Sequence, residues 1–336
     1  MKYYIQLPSI NKAKEDIDEI CRQEGYMNLA RCDFGRSGVG RFFTRVFAVC
    51  NILFRMKKDD TLLLQYPMKK FYKMACRFAR MKGARVVTIV HDLGAFRRKK
   101  LTAVQENKRL SLTDFLIVHN PTMRDYILEH GFKGGVHCLQ IFDYLSEKQP
   151  ASYKTPHNPW CVVYAGNLGR WRNEFLYKMK GCANNYVMDL YGNGFNNAEN
   201  DCENLHYHGF MPSDEFVASV KADFGLVWDG DSLNECTGAW GEYLKINNPH
   251  KTSFYLCAGV PVIVWSKAAM APFVKGENVG LVVDSLQQIN ERLAALTPDE
   301  YAKIREAAKA MSKRLADGYY FKESMRRADE YLAGKK

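Results

Sequence analysis

Apolar residues along this chain gather into short unbroken runs, separated by longer segments in which apolar and polar positions mix with a helical period. In the first half the runs predict strands at Tyr3–Leu7, Tyr26–Arg31, Thr61–Gln65, Ala84–Val90, Asp114–Val118 and Val136–Leu139. Helices are expected between them, at Asn11–Arg22, Arg41–Lys57, Lys69–Met81 and Pro121–His130. Runs such as "ARVVTIV" and "TLLLQ" show no polar alternation, as expected of strands covered on both faces. Strands that alternate with helices in this way predict α/β architecture with parallel sheets.

The pattern breaks once. "SEKQPASYKTPHNPW" (Ser146 to Trp160) holds three prolines and little apolar order, the composition of a linker. Alternation then resumes, with strands expected at Cys161–Ala165, Tyr186–Tyr191, Leu205–His208, Ala222–Val227, Val260–Val264 and Gly280–Val283, and a helical tail from Asp299 to Leu332 interrupted at Asp317-Gly318. The division expected is a Rossmann-like domain over 1–150, a second over 158–315, and a terminal helix over 316–336. Two such halves would face each other across a cleft, with ligands beyond the carboxyl ends of the strands.

Composition narrows the setting. At 336 residues, two cores are the natural expectation. Ten cysteines are scattered without a Cys-x-x-Cys pair, which suits a reducing compartment better than a disulfide framework or a zinc site. The opening residues look like a first strand rather than a signal peptide, and the most membrane-like stretch, Thr252 to Ser266, is short and broken by Gly259 and Pro261. A cytoplasmic protein is expected. The net charge of +11 is concentrated early, in Arg41 to Lys58, Lys69 to Arg85 and Arg97 to Lys100, a surface that suits nucleic acid, an anionic membrane face or an acidic ligand.

Several chemistries lack their signatures. "GNGFNN" (Gly192 to Asn197) has no third glycine in dinucleotide register, and neither a Gly-x-x-x-x-Gly-Lys-Ser/Thr loop nor a Gly-x-Ser-x-Gly elbow occurs. Two strand-to-helix turns are positive signals. In "VVYAGNLGRWRNEF" a strand ends near Ala165, Gly166-Asn167-Leu168-Gly169 turns, and Arg170 and Arg172 open a helix. Glycines let backbone N–H groups approach a phosphate, and arginines supply charge-assisted bonds to it. In "NNPHKTSFYLCAGVPVIVW" the helix is expected to open at Asn248-Pro249-His250-Lys251, with Pro249 at its first position. Lys251 would oppose the helix dipole there unless an anion is bound. A diphosphate held by Arg170 or Arg172 together with Lys251 accounts for both turns without a metal.

Other positions add candidates. Ser213 is expected to cap the helix after "LHYHGF", leaving Phe210 at a strand end to pack on a nucleobase or in the core. Asp229-Gly230-Asp231 is either a turn or a carboxylate pair able to hold a divalent cation against a diphosphate. In the first half, His91 and Asp92 end a strand, where either is a candidate general base for an acceptor hydroxyl. Ser9 and Gly38 sit in loops expected to line the cleft. On the helix from Arg41 to Lys58, a polar side (Arg41, Thr44, Arg45, Ala48, Asn51, Arg55, Lys58) opposes an apolar one (Phe43, Val46, Phe47, Cys50, Leu53, Phe54, Met56). Such a helix either buries its apolar arc in the core or rests on anionic lipid.

Taken with "YAGNLGRWR", "LYGNGF", "HYHGF" and "NPHKTSFYLCAGVPVIV", the chain resembles GT-B glycosyltransferases over nearly its whole length. It is similar in particular to bacterial galactofuranosyltransferases and to glucosyltransferases that build adhesin glycans. The resemblance implies a hexosyltransferase that moves glucose or galactofuranose from a UDP-sugar to a glycan, lipid-linked or glycoprotein acceptor. It implies no cofactor or metal, and no nucleic-acid partner. The donor would sit in the second domain, on Gly166, Asn167, Arg170, Arg172, Tyr191, Phe210, Asn248, His250, Lys251 and Thr252. Glu235 and Glu242 have six residues between them rather than the seven of the Glu-x7-Glu pattern many retaining enzymes show, which leaves the stereochemical course open. A homo-oligomer and peripheral contact with the inner face of a membrane also stay open, as do a non-catalytic partner subunit and a basic nucleic-acid binder.

Overall fold

A computed structural model describes the chain except for residues 8–10, 31–33, 35, 36, 69, 70, 98–100, 154, 335 and 336. Ser9 therefore lies outside the described residues. The chain forms two compact units, Met1–Asp143 with Gly318–Lys336, and Tyr144–Asp317.

The first unit holds β1 (Lys2–Tyr4), α1 (Lys12–Gln23), β2 (Met27–Asn28), α2 (Gly38–Arg55), β3 (Thr61–Tyr66), α3 (Phe71–Met81), β4 (Arg85–Val90), α4 (Gly94–Arg97), α5 (Ala103–Leu110), β5 (Phe115–Val118), α6 (Pro121–Glu129) and β6 (Gly135–Cys138). Its six strands pair in parallel in the order β2-β1-β3-β4-β5-β6. The chain runs outward in opposite directions from β1 and β3, so the strand order reverses between them.

The second unit holds β7 (Trp160–Asn167), α7 (Arg170–Asn173), β8 (Tyr186–Asn193), β9 (Leu205–Gly209), α8 (Ser213–Ser219), β10 (Phe224–Val227), α9 (Gly238–Leu244), α10 (His250–Cys257), β11 (Val262–Trp265), α11 (Ala271–Gly276), β12 (Gly280–Val283), α12 (Gln288–Ala295) and α13 (Pro298–Ala316). Its parallel order, β12-β11-β10-β7-β8-β9, is the Rossmann arrangement, with the reversal between β7 and β10. Trp228, Trp265, Tyr164, Phe175 and Phe224 are fully enclosed in its core. Each such side chain contributes roughly 2–3 kcal/mol through removal from water. The proline-rich stretch packs along this unit: the Tyr153 hydroxyl donates to the Ala222 carbonyl at 2.5 Å, and the His157 N–H donates to Asp223. The last helix, α14 (Tyr319–Ala333), belongs to the first unit, where Asp143 accepts the N–H groups of Tyr320 and Phe321 and Tyr331 packs on Phe115.

Helix α2 departs from the expected facing. Thr44, Ala48, Val49, Asn51 and Ile52 are buried, whereas Phe42, Phe43, Phe47 and Phe54 are exposed, Phe54 by 84%. The polar members of the inner face have partners: the Thr44 hydroxyl donates to the Gly40 carbonyl and Asn51 Nδ2 to the Leu29 carbonyl. Of the side expected to be polar, Thr44, Ala48 and Asn51 pack inward, while Arg55 and Lys58 stay exposed.

Candidate functional site

In the second unit the reversal between β7 and β10 opens a crevice at their carboxyl ends. Gly166 and Asn167 end β7, and Trp228-Asp229-Gly230 follow β10. The two exits are laced by backbone bonds, the Gly230 N–H to the Arg172 carbonyl at 3.0 Å and the Phe175 N–H to the Gly230 carbonyl at 3.2 Å. Helix α10 is fixed to the same edge by Tyr255, whose hydroxyl accepts the Ala165 N–H at 2.7 Å.

Glycine is required in the turn. Gly166 and Gly192 are cross-strand partners with φ of +123° and +144°, and a Cβ on Gly192 would lie 1.8 Å from the Gly166 carbonyl oxygen. The Asn167 side chain accepts the Gly169 N–H at 2.9 Å, and its carbonyl accepts Asn173 Nδ2. Asn167 therefore shapes the turn.

Three charges meet at the crevice. Arg172 donates to Asp229 through Nε at 2.8 Å and Nη2 at 3.1 Å, and its guanidinium lies 4.0 Å from the Trp240 ring centroid. Lys251 Nζ lies 3.9 Å from Asp229 Oδ1 and donates to the Tyr164 hydroxyl at 2.5 Å. Its side chain closes over Gly166, where an added Cβ would lie 3.4 Å from Lys251 Cε. Two cations thus share one carboxylate. Burial pushes the Lys251 ammonium down to about 8, with Arg172 adding to the drop and Asp229 opposing it. The cluster carries a surplus positive charge in a partly dry setting, which favours a multiply charged anion.

Not every candidate joins this cluster. Arg170 pairs with Glu199 at 2.7 Å and lies 4.1 Å from the Tyr177 ring, away from Asp229. A short helix carries the two arginines, and successive positions two apart on a helix do not face alike. Asp229 is occupied by Arg172 and Lys251, and the Asp231 side chain accepts from Thr237 Oγ1, so the Asp-x-Asp carboxylates have separate partners. Among the described residues no group of three or more His, Cys, Asp or Glu side chains is arranged to hold a metal. Glu235 and Glu242 pair with Lys267 and Lys245.

Pro249 takes the cap position of α10 rather than its first turn, because its ψ of 134° is extended; His250 is the first helical residue. Likewise Pro212 caps α8 without a side-chain bond, and Ser213 is the first residue inside it. Lys251 and Thr252 thus lie in the first turn of α10, with Thr252 Oγ1 buried and without a hydrogen-bond partner among the described residues. Asn248 is buried at the entry to the helix, and the His250 ring centroid is 5.0 Å from that of Tyr144. Further along the same sheet edge, the Tyr191 ring stacks on His208 at 4.8 Å, and His208 Nε2 meets Asp189 at 3.0 Å. Phe210, one residue past β9, is 67% exposed and does not pack in the core.

In the first unit, His91 follows β4 at the carboxyl edge. Its Nε2 lies 2.7 Å from Gln65 Oε1, and its ring stacks on Phe142 at 5.3 Å. Asp92 beside it is buried. Gly38 opens α2, and an added Cβ there would touch nothing within 4 Å. Sequence reading did not single out Tyr164, Gln65 or Trp240. Tyr164 and Gln65 lie in apolar strand runs, and "TGAWGEYL" gives no signal beyond a glycine-flanked tryptophan.

Two parallel six-stranded units of this order, with a cation pair poised at a strand-order reversal, define a glycosyltransferase of the GT-B class. The fold is shared with the lipopolysaccharide outer core galactosyltransferase WaaB (TM-score 0.62, 11% identity, 100% of each chain). It is shared too with Anabaena HepE, solved with UDP-glucose (TM-score 0.59, 10% identity, 98% of this chain and 99% of that one). The chain belongs to the glucosyltransferase 3-like family: residues 5–141 match its N-terminal domain and 162–328 its C-terminal domain. Among its relatives, beta-1,6-galactofuranosyltransferase WbbI of Escherichia coli (strain K12) is 31% identical over 315 residues, 93% of this chain and 92% of that protein. Glucosyltransferase 3 of Streptococcus gordonii is 26% identical over 327 residues, 93% and 91% of the two.

Proposed function

We propose that this enzyme transfers a hexose, glucose or galactofuranose, from UDP to a hydroxyl of a growing surface glycan. The diphosphate lies at the β7–β10 crevice. One observation carries the reading: Arg172 and Lys251, 79 positions apart in sequence, converge on Asp229 with one positive charge in excess. Both are preorganised where the leaving UDP accumulates charge, so they stabilise that charge without reorienting during the reaction. Tyr191 and Phe210, farther along the same edge, provide aromatic surface for the uracil. Arg170, held by Glu199, borders the site. In the first unit His91 is the base that takes the acceptor hydroxyl's proton, and buried Asp92 supports it.

The exposed face of α2 fits an acceptor presented at a membrane. Val39, Phe42, Phe43, Phe47 and Phe54 stand in water, beside exposed Arg55, Lys57 and Lys58. An apolar arc edged by cations matches an anionic bilayer interface. No helix among the described residues is long and apolar enough to cross a membrane, so this contact is peripheral.

Incubating the protein with UDP-glucose or UDP-galactofuranose and glycan acceptors, and measuring UDP release together with chain extension, tests the assignment. Extension with one of these donors is expected. Failure of UDP to raise Tm, combined with no release from any UDP-hexose, would reject it.

A further inference from the structure

Gln65 is the polar exception in the apolar strand "TLLLQY", and it stands beside the strand-order reversal of the first unit, between β1 and β3. Its amide touches three groups. Nε2 donates to Asp18 Oδ1 at 2.7 Å and to the Lys14 carbonyl at 3.2 Å, both on α1; Oε1 faces His91 Nε2 at 2.7 Å. A backbone carbonyl can only accept, so the nitrogen end of the amide must face Lys14 and the oxygen end must face His91. An amide oxygen can only accept in turn. The neutral His91 ring therefore carries its proton on Nε2 and its lone pair on Nδ1.

We propose that Gln65 and Asp18 are positioning residues for His91, acting as a relay that fixes its tautomer so that proton transfer occurs through Nδ1. This rests on the reading of His91 as the base. Asp18 orients the amide, the amide sets the ring, and stacking on Phe142 holds the ring plane. Asp18 is buried, and burial raises its carboxyl to about 7, while the Gln65 bond and Lys14 oppose the rise. The carboxyl accepts the amide proton in either protonation state, since its second oxygen can hold the acid proton. The other charges around the relay include Glu15 on α1, which adds to the rise at Asp18, and Lys14 on α1, which burial lowers and which feels Arg45 of α2 and Asp92 after β4. His119, after β5, is held to about 4 by burial and stays neutral.

Two measurements on the full chain test the relay. The first needs no substrate: long-range nitrogen–proton NMR of histidine-labelled protein is expected to show His91 as the Nε2–H tautomer, and as a tautomer mixture in Gln65→Leu. The second is kinetic. Gln65→Leu is expected to lower kcat on the order of ten-fold or more with donor KM changed less than two-fold, as for a misaligned base. Gln65→Glu, which still accepts from Nε2, is expected to restore kcat at high pH and to move the acid limb of the pH profile upward. Asp18→Asn, which keeps an acceptor oxygen, is expected to remain near wild type, whereas Asp18→Ala loses activity. An Nδ1–H tautomer in the wild type overturns the relay outright. So does an inactive His91→Ala beside a Gln65→Leu with unchanged kcat, or a Gln65→Leu defect confined to KM. A His91→Ala variant with full kcat removes the base itself, and that result is distinct from the others.

Discussion

Arg172 and Asp229 meet side-on, Nε to Oδ1 at 2.8 Å and Nη2 to Oδ2 at 3.1 Å, although 57 residues separate them. The planar fork matches the carboxylate and leaves its other face on Trp240. A lysine reproduces neither the paired bonds nor the stacking. Arg172→Lys is therefore expected to lower kcat/KM for the donor by ten-fold or more and to reduce the Tm rise produced by UDP. Steady-state kinetics and a thermal-shift titration measure the two effects.

Lys251 gives a prediction with a definite sign. Its ammonium titrates near 8 in the folded protein, against 10.5 for an ordinary lysine. Between those values the unfolded chain holds more protons, so stability rises with pH there, and the penalty is complete below pH 8. Its full size is roughly 3 kcal/mol, less whatever the partial exposure screens. Lys251→Met is expected to match or exceed wild-type stability at pH 7, with the advantage shrinking toward pH 10, while most of the UDP-induced shift is lost. Denaturant melts across that range check both.

The same titration predicts proton uptake. A diphosphate beside Nζ favours the charged amine, so UDP binding at pH 8.5 is expected to draw a fraction of one proton from the buffer. Calorimetry in two buffers of different ionisation enthalpy reads it directly; equal apparent enthalpies would contradict the placement of Lys251 at the diphosphate.

Much of this was legible in the sequence. Continuous apolar runs such as "VIVW" and "RVVTIV" identify buried parallel strands because period and composition agree, and the glycine turn at 166–169 announced itself by residue type. Partners distant along the chain were not legible. Nothing local tells that Asp229 will receive Arg172, or that Glu199 will take Arg170 out of the same cluster. The facing of α2 was also hidden, since Thr44 and Asn51 look solvent-facing until the Gly40 and Leu29 carbonyls that accept from them are known.

Gly192 tolerates no side chain, because its φ of +144° is compounded by the approach of the Gly166 carbonyl. Gly192→Ala is expected to cost at least about 2 kcal/mol. Gly209 has φ of +77° but open space around its Cβ position, so Gly209→Ala should cost about 1 kcal/mol. Chemical denaturation of the pair separates steric collision from backbone strain.

If α2 meets lipid, Phe43→Ser combined with Phe47→Ser should weaken sedimentation with phosphatidylglycerol vesicles several-fold and leave UDP binding intact. Equal sedimentation of variant and wild type would count against that face.

Helix α14 has a consequence for how the protein is made. The amino-terminal Rossmann unit is sewn shut by residues 318–334, which bring Tyr331 onto Phe115 and Lys2 onto Asp329. A ribosome must therefore synthesise the whole of the second unit before the earlier half can finish folding. During that interval the bare flank around β6 awaits its cover, so a nonsense mutation late in the reading frame would injure the domain encoded first.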